Sequence, residues 1–374
     1  PIISLPTIAD VLAWLQHHPC DLVVIGPEAP LAAGWSDQIR ATGVPVFGAS
    51  QSAARLESSK GFAKQIMQRV GVPTAAFRVF DAAADASAFV RQSGQGWVVK
   101  ADGLAAGKGV IVGESMAETL DAIAQLATMP AGNRILLEER LYGPEVSLIA
   151  LTDGRTILPL PSARDHKRIL DGDEGANTGG MGAIAPLHAI DIGVARQLCD
   201  LVMQPVVDFL MQHQMPFVGA LYAGLMLTEY GPKVIEFNAR FGDPETQVIL
   251  PLCDGDILQA LYATATSQLH ADQLAWRSGS AACVVMSSHG YPASPRLDDQ
   301  ITIDTQRIPP HGYVLHAGTR LHEGQLYTAG GRVLNAVGVG ATHLDALKTA
   351  YATAEAVRFA GMHYRLDIGQ SELP

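Results

Sequence analysis

Val98-Val99-Lys100-Ala101-Asp102-Gly103-Leu104-Ala105-Ala106-Gly107-Lys108-Gly109-Val110 runs from an apolar strand through a glycine-rich turn into a second strand, Val110–Val112. Three glycines within Gly103–Gly109 permit turns that other residues resist, and let backbone approach a ligand closely. Exposed N–H groups with Lys100 and Lys108 beside them make a phosphate cradle. This is not a Walker A loop, because Gly109 stands where Ser or Thr is required and the glycine spacing differs. The turn also joins two strands instead of opening a helix. A hairpin flap over a triphosphate fits that pattern, with a plain β-turn carrying solvated lysines as the alternative.

Outward from this stretch the rhythm is strand–helix–strand–strand–helix–strand. Ala76–Phe80 reads as a strand, Ala82–Gln92 as a helix, Trp97–Lys100 as a strand, Glu114–Leu126 as a helix and Ile135–Glu138 as a strand. Further toward the amino terminus, Ser52–Val70 is helical and closed by Gly71 and Pro73. Asp10–His17 and Ser36–Ala41 alternate with strands Leu22–Ile25 and Val44–Phe47, an order that suits a doubly wound sheet lacking its opening strand. Residues 145–250 alternate strands and helices around a glycine-rich loop at 172–182. The region 281–374 shows short β-like runs and a late helix near 343–358.

The second chemical signal is EFNARFGDPETQ at 236–247. If Lys233–Phe237 is a strand, alternation sends Glu236 and Asn238 to one face. A carboxylate and an amide oxygen suit Mg²⁺, which also takes phosphate oxygens. Arg240 lies just beyond, where a guanidinium neutralises a transferring phosphoryl group. A structural salt-bridge network at a strand end is the competing reading. A third signal joins Arg164-Asp165-His166-Lys167-Arg168 to Asn177-Thr178-Gly179-Gly180-Met181-Gly182, a basic cluster beside a flexible loop suited to an anionic substrate. Taken alone, the segment reads better as a solvated charged loop. The fourth is Glu138-Glu139-Arg140-Leu141 with Glu145 beyond, a strand leaving the small lobe whose backbone and carboxylates suit adenine and ribose; alone it is a weak signal, since paired glutamates usually just face water.

Bulk properties set the outer limits. The 374 residues suffice for two or three domains, and 37 acidic against 26 basic residues give a net charge of −11. That balance argues against nucleic acid held by a general basic field, while leaving room for a small anion bound by local Lys and Arg. Cys20, Cys199, Cys253 and Cys283 form no CxxC pair and read as reduced cysteines of a cytoplasmic protein. No apolar run has the length of a membrane span. A nicotinamide-dependent oxidoreductase lacks its GxGxxG after a strand.

Taken in order, these segments resemble the phosphoribosylamine–glycine ligase family. The likeness rests on KADGLAAGKGV, DHKR, NTGGMG and EFNARFGDPETQ. GPEAPL at 26–31, Ser59-Lys60, LYAGLM at 221–226, GYP at 290–292, HAGT at 316–319, GGRVLN at 330–335 and YRLDIG at 364–369 support it. The resemblance implies an α/β and α+β multidomain protein with an ATP-grasp fold. An incomplete Rossmann-like domain would occupy 1–52, and the ATP-grasp domain 53–270 with its nucleotide lobe at about 73–141. A small β-rich domain would occupy 275–374.

It further implies ligation of glycine to 5-phosphoribosylamine through glycyl phosphate, using ATP and Mg²⁺ or Mn²⁺, by a cytoplasmic monomer or weak dimer. Lys60, Lys100, Gly107, Lys108 and Gly109 would meet ATP phosphates, and Glu138, Glu139, Leu141 and Glu145 the adenosine. Glu236 and Asn238 would hold the metal, with few other protein ligands because Gly224-Leu225-Met226-Leu227 offers none. Arg240, Lys100 and Asp165 would act at the reacting centre. Lys167, Arg168, Asn177–Gly182 and the turn Asp243-Pro244-Glu245-Thr246 would hold the substrates. Two departures stand out: the family's opening strand and glycine-rich turn do not precede Pro1, and Arg164 replaces a customary Gln. Another ATP-grasp ligase or carboxylase, or a catalytically impaired ATP-binding module, is the alternative.

Overall fold

The computed structural model describes residues 3–105 and 109–373. Three antiparallel sheets position the site. The first, in the order Phe77–Phe80, Ile135–Glu138, Val98–Ala101, Val110–Val112, carries helices Ala83–Ser93 and Met116–Ala127. Val90, Val99, Ile123, Leu126, Ile135 and Leu137 form its own small core. Pairing of Lys100 with Val110 makes the hairpin read from sequence. Gly107 and Lys108 lie outside the described residues.

The second sheet runs Gly231–Asn238, Gly219–Thr228, Glu145–Thr152, Ile157–Pro159. Its central strand Glu145–Thr152 is apolar and buried from Val146 onward, as expected of a strand covered on both faces. The predicted strand at 233–237 extends to Gly231–Asn238, and Glu236 and Asn238 both face one large cavity.

The third sheet has five strands, in the order Gly312–His316, Arg332–Gly340, Ser280–Ser287, Gly182–Ala185, Arg164–Asp165. It crosses the region near 270–275 where the resemblance implies a domain boundary, so the DHKR and NTGGMG segments share a sheet with the carboxy-terminal strands. The helix His343–Ala354 packs against this sheet, ending earlier than the sequence pattern suggests.

Differences from the sequence reading have local causes. The single helix expected over 52–70 is two, Arg55–Ser58 and Lys60–Val70. Ser59 is extended between them and caps the second by accepting from Phe62 N. Strands Val23–Val24 and Val46–Phe47 pair in parallel and are shorter than the apolar runs that announced them. No helix among the described residues is long and apolar enough to cross a membrane. Cys199, Cys253 and Cys283 are buried and unpaired, and Cys20 is also free.

Candidate active site

A cavity of about 1360 Å³ lies between the three sheets. At one end, the cap residue Ser59 starts a helix whose first two turns bring Lys60 and Lys64 inward. Asp102, at the base of the glycine-rich turn, accepts from Gly61 N (3.1 Å) and from Arg134 Nη1 (3.0 Å), tying turn to helix. A side chain at position 61 would press on Asp102 Oδ2 at 3.0 Å, so Gly61 permits that approach. Lys60 Nζ donates to Gly103 O at 3.1 Å.

Behind them sits a buried charge triad. Glu138 Oε2 meets Lys64 Nζ and Glu138 Oε1 meets Lys100 Nζ, each at 2.8 Å. The Lys100 contact has ion-pair distance without aligned hydrogen-bond geometry. Lys64 also donates to Thr74 Oγ1 (2.6 Å), which donates to Val234 O (2.6 Å), and Lys100 donates to Ile235 O (3.2 Å). Burial pushes the Lys64 ammonium down to about 8, against the pull of Glu138. Glu138 therefore meets the cavity as the partner of two lysines, where sequence reasoning made it an adenosine contact. Glu139 accepts from Ala76 N and pairs with Lys233 (both 3.0 Å), and Glu145 pairs with Lys167 at 2.9 Å. Both acids line the cavity together with Leu141.

Glu236 stands in the middle. Burial raises its pKa, but Lys167, Lys100, Lys60 and Arg240 together outweigh burial and hold it below the usual carboxylate range. It is thus an ionised carboxylate in a cationic field, with the Asn238 side chain beside it on the same strand. Among the described residues no cluster of three or more His, Cys, Asp or Glu could hold a metal. One carboxylate and one amide suit an ion that keeps waters and takes phosphate oxygens, which is the habit of Mg²⁺.

Arg240 follows the strand. Its Nε lies 3.3 Å from Glu28 Oε2 and its Nη2 3.3 Å from Glu57 Oε1. Glu57 also accepts from Ala239 N at 2.8 Å. Burial lifts the Glu57 carboxyl to about 6 despite Arg240.

The other end is built from the loop segments. Glu245 is buried and its Oε1 accepts from Ser147 Oγ and Tyr222 OH, each at 2.8 Å. Asp165 is part-exposed as a residue, yet its Oδ1 is sealed and has no hydrogen-bond partner. Burial and the charge of Glu245 push its pKa well up, against Lys167 and Arg332. Burial opposes it, but the carboxylates of Glu145 and Glu236 keep Lys167 firmly protonated. Gly180 has φ +112°, and a Cβ there would lie 2.6 Å from Asp165 Oδ1. Only glycine fits that position.

Lys60, Lys100, Gly109, Glu138, Glu139, Leu141, Glu145, Asp165, Lys167, Arg168, Asn177, Thr178, Gly179, Glu236, Asn238, Arg240, Asp243 and Glu245 all line the one cavity. Gly180, Met181, Gly182, Pro244 and Thr246 do not. Met181 N donates to His166 O and Met181 O accepts from Val285 N, so this part of the loop is sheet scaffold. His166 Nε2 accepts from Gly369 N at 3.0 Å, which makes it a buried structural histidine. Arg164 donates to Glu145 O (3.1 Å), to Ser371 Oγ (3.2 Å) and to Glu372, so its charge is used on the carboxy-terminal segment.

Sequence reasoning missed Lys64, Tyr222, Glu28, Glu57 and Arg332 as site residues. Each lies inside or beside a quoted motif, but only folding brings it to the cavity wall.

Family models for the phosphoribosylglycinamide synthetase N domain, ATP-grasp (A) domain and C domain match residues 2–57, 58–246 and 281–371. A phosphoribosylamine–glycine ligase of Streptomyces coelicolor is 48% identical, with 96% of this chain and 86% of that protein covered. The Rhizobium meliloti enzyme of the same name is 44% identical over the same shares. The chain belongs to the phosphoribosylglycinamide synthetase family. A crystal structure of phosphoribosylamine–glycine ligase from Thermotoga maritima superposes with a TM-score of 0.84 at 34% identity, covering 96% of this chain and 88% of that one. The biotin carboxylase domain of Hydrogenobacter thermophilus 2-oxoglutarate carboxylase, solved with MgADP and bicarbonate, gives 0.74 at 15% identity. It covers 97% of this chain and 81% of that one. That likeness concerns fold alone, and the fold is ATP-grasp, as the resemblance implied.

Proposed function

We propose that this member of the phosphoribosylglycinamide synthetase family ligates glycine to 5-phosphoribosylamine, giving glycinamide ribonucleotide, ADP and phosphate in purine biosynthesis. The observation that carries this reading is the convergence of Lys60, Lys100, Lys167 and Arg240 on one ionised carboxylate, Glu236, inside a single cavity.

Glycine's carboxylate is a poor electrophile. One of its oxygens attacks the γ-phosphorus of ATP, ADP departs, and the resulting glycyl phosphate has a good leaving group. The neutral amine of phosphoribosylamine attacks that carbonyl, phosphate leaves and the amine proton is lost. Phosphoryl transfer asks chiefly for positioning and charge neutralisation. Lys60 and Lys100 would face the phosphates, and Arg240 the charge that builds between them and glycine. Glu236 and Asn238 would hold Mg²⁺ or Mn²⁺, which when bound neutralises phosphate oxygens. Asp165, with Glu245 behind it, offers an acceptor for an ammonium group. Lys167 and Arg168 offer charge to anionic groups of the substrates. Glu139, Leu141 and Glu145 border the space for adenosine. Four unpaired cysteines accord with a cytoplasmic enzyme.

A coupled ADP-release assay, omitting each substrate in turn, tests the reading. ADP release is expected to require glycine and phosphoribosylamine, and not bicarbonate. Bicarbonate-dependent turnover would point to a carboxylase, and tight ATP binding without turnover to a binding module; either would remove the ligase reading.

A further inference from the structure

The carboxy-terminal strands do more than cover the cavity. Arg332 opens the strand Arg332–Gly340 opposite Ser287, where a register shift between Met286 and Ser287 interrupts the ladder. Such an irregularity redirects a side chain out of the regular alternation. The Arg332 guanidinium reaches two separate segments. Its Nη1 donates to Gly179 O at 2.6 Å and to Asp243 O at 2.8 Å, and its Nη2 donates to Asp243 Oδ2 at 2.8 Å. The opposite side of the same residue is held too, since Gly179 N donates to Tyr291 OH at 3.0 Å. Arg332 is itself fixed at its backbone, its carbonyl accepting from Gly318 N at 2.9 Å.

We propose that Arg332, with Tyr291, is a positioning residue for the substrate end of the cavity, holding the C=O and the N–H of Gly179 so that Gly180 lies against Asp165. The inference deepens the ligase reading and rests on it. Its physical basis is the fork of the guanidinium, which satisfies two acceptors on separate segments at once. An ammonium at position 332 has the charge without that fork. A Cβ at position 179 would press on Arg332 Cζ at 3.0 Å, so glycine there permits the guanidinium's close approach. The clamp touches neither the lysines nor Glu138 at the far end, so its loss acts on one group of substrates.

Steady-state ADP release by the full chain, with saturating phosphoribosylamine, reads this out. Arg332→Met is expected to raise KM for glycine about tenfold or more, the scale of a lost charge-assisted hydrogen bond. KM for ATP should move by less than about twofold, the far-end contacts being intact. Tyr291→Phe, which removes only a hydroxyl, should raise KM for glycine in the same sense by about threefold. Arg332→Lys should resemble Arg332→Met more than the unaltered chain. Equal shifts in both KM values, no shift in either variant, or full rescue by Lys would each overturn the assignment, even if melting temperature fell. Should Arg332→Met fail to fold, Tyr291→Phe decides by the same split. Absence of glycine-dependent ADP release from the unaltered chain strikes the ligase reading itself, which separates the two failures.

Discussion

The two ends of the cavity handle charge in opposite ways. At the lysine end, Glu138 already answers Lys64 and Lys100, all three side chains are 4% exposed or less, and the cations are fixed. At the loop end, Asp165 keeps a sealed oxygen with no partner, and burial drives its carboxyl toward the protonated form. One end is assembled before anything binds. The other holds a carboxyl that burial and the neighbouring Glu245 keep from ionising freely. A fixed cationic wall suits a triphosphate whose charge hardly varies between encounters. A cavity end lined by buried polar groups suits a small substrate that must be told apart from similar ones, because discrimination grows when the wrong ligand leaves such groups unpaired.

Glu236 lies between these ends, so altering it should break both at once and produce the largest effect. Glu236→Ala removes the carboxylate that Lys60, Lys100, Lys167 and Arg240 surround. Turnover should fall by about 10³-fold or more, the scale of losing metal-assisted charge stabilisation, and added Mg²⁺ should not restore it. The circular dichroism spectrum should be unchanged. Near-normal kcat in this variant would remove Glu236 as a metal ligand and leave it as a counter-ion for the lysines.

This contrast explains what could be read from the sequence. The small lobe is local: its four strands fall between Phe77 and Glu138, so alternation and turn residues announced nearly all of it. Glu236 and Asn238 were legible for the same reason, two residues apart on one strand. The loop end joins Ser147, Asp165, Gly179, Tyr222, Glu245, Tyr291 and Arg332, which only long-range pairing brings together. No periodicity encodes a guanidinium reaching from position 332 to 179 and 243. Glu138 shows the same limit: its place on the cavity was legible, but not the buried Lys64 that pairs with its carboxylate, because a lysine in a helix reads as solvated until burial is known.

The triad offers a second, smaller perturbation. Lys64→Met should leave Glu138 Oε2 buried without its cation, costing about 3 kcal/mol, the low end for breaking a buried ion pair. Lys100 should then be held more tightly by Glu138, so KM for ATP is expected to rise while KM for glycine stays near its original value. That pattern is the mirror image of the one expected from Arg332→Met. Urea unfolding measures the first effect and the ADP-release assay the second. A stability loss below about 1 kcal/mol, no more than a surface pair is worth, would mean that the lysine end is wetter and less preassembled than its contacts indicate.

The smallest effect concerns Glu57, which joins the amino-terminal region to Arg240. Burial lifts its carboxyl from 4.5 to about 6 in the folded chain, with Arg240 and the Ala239 amide opposing. Between those two values the folded state holds more protons than the unfolded one, so this group's contribution to stability falls as pH rises from 4.5 through 6. The shift corresponds to about 2 kcal/mol, and the side chain is only 8% exposed, so solvent screening removes little of it. Glu57→Gln abolishes the proton exchange while keeping the side chain's shape. Urea unfolding measured at several pH values should therefore show a less steep loss of stability for Glu57→Gln across that window, the difference approaching about 2 kcal/mol. Parallel curves would show that Glu57 ionises as freely folded as unfolded. Arg240 would then already compensate its burial, and the junction between the amino-terminal region and the strand Gly231–Asn238 would resemble the lysine end, with its charges matched before any ligand arrives.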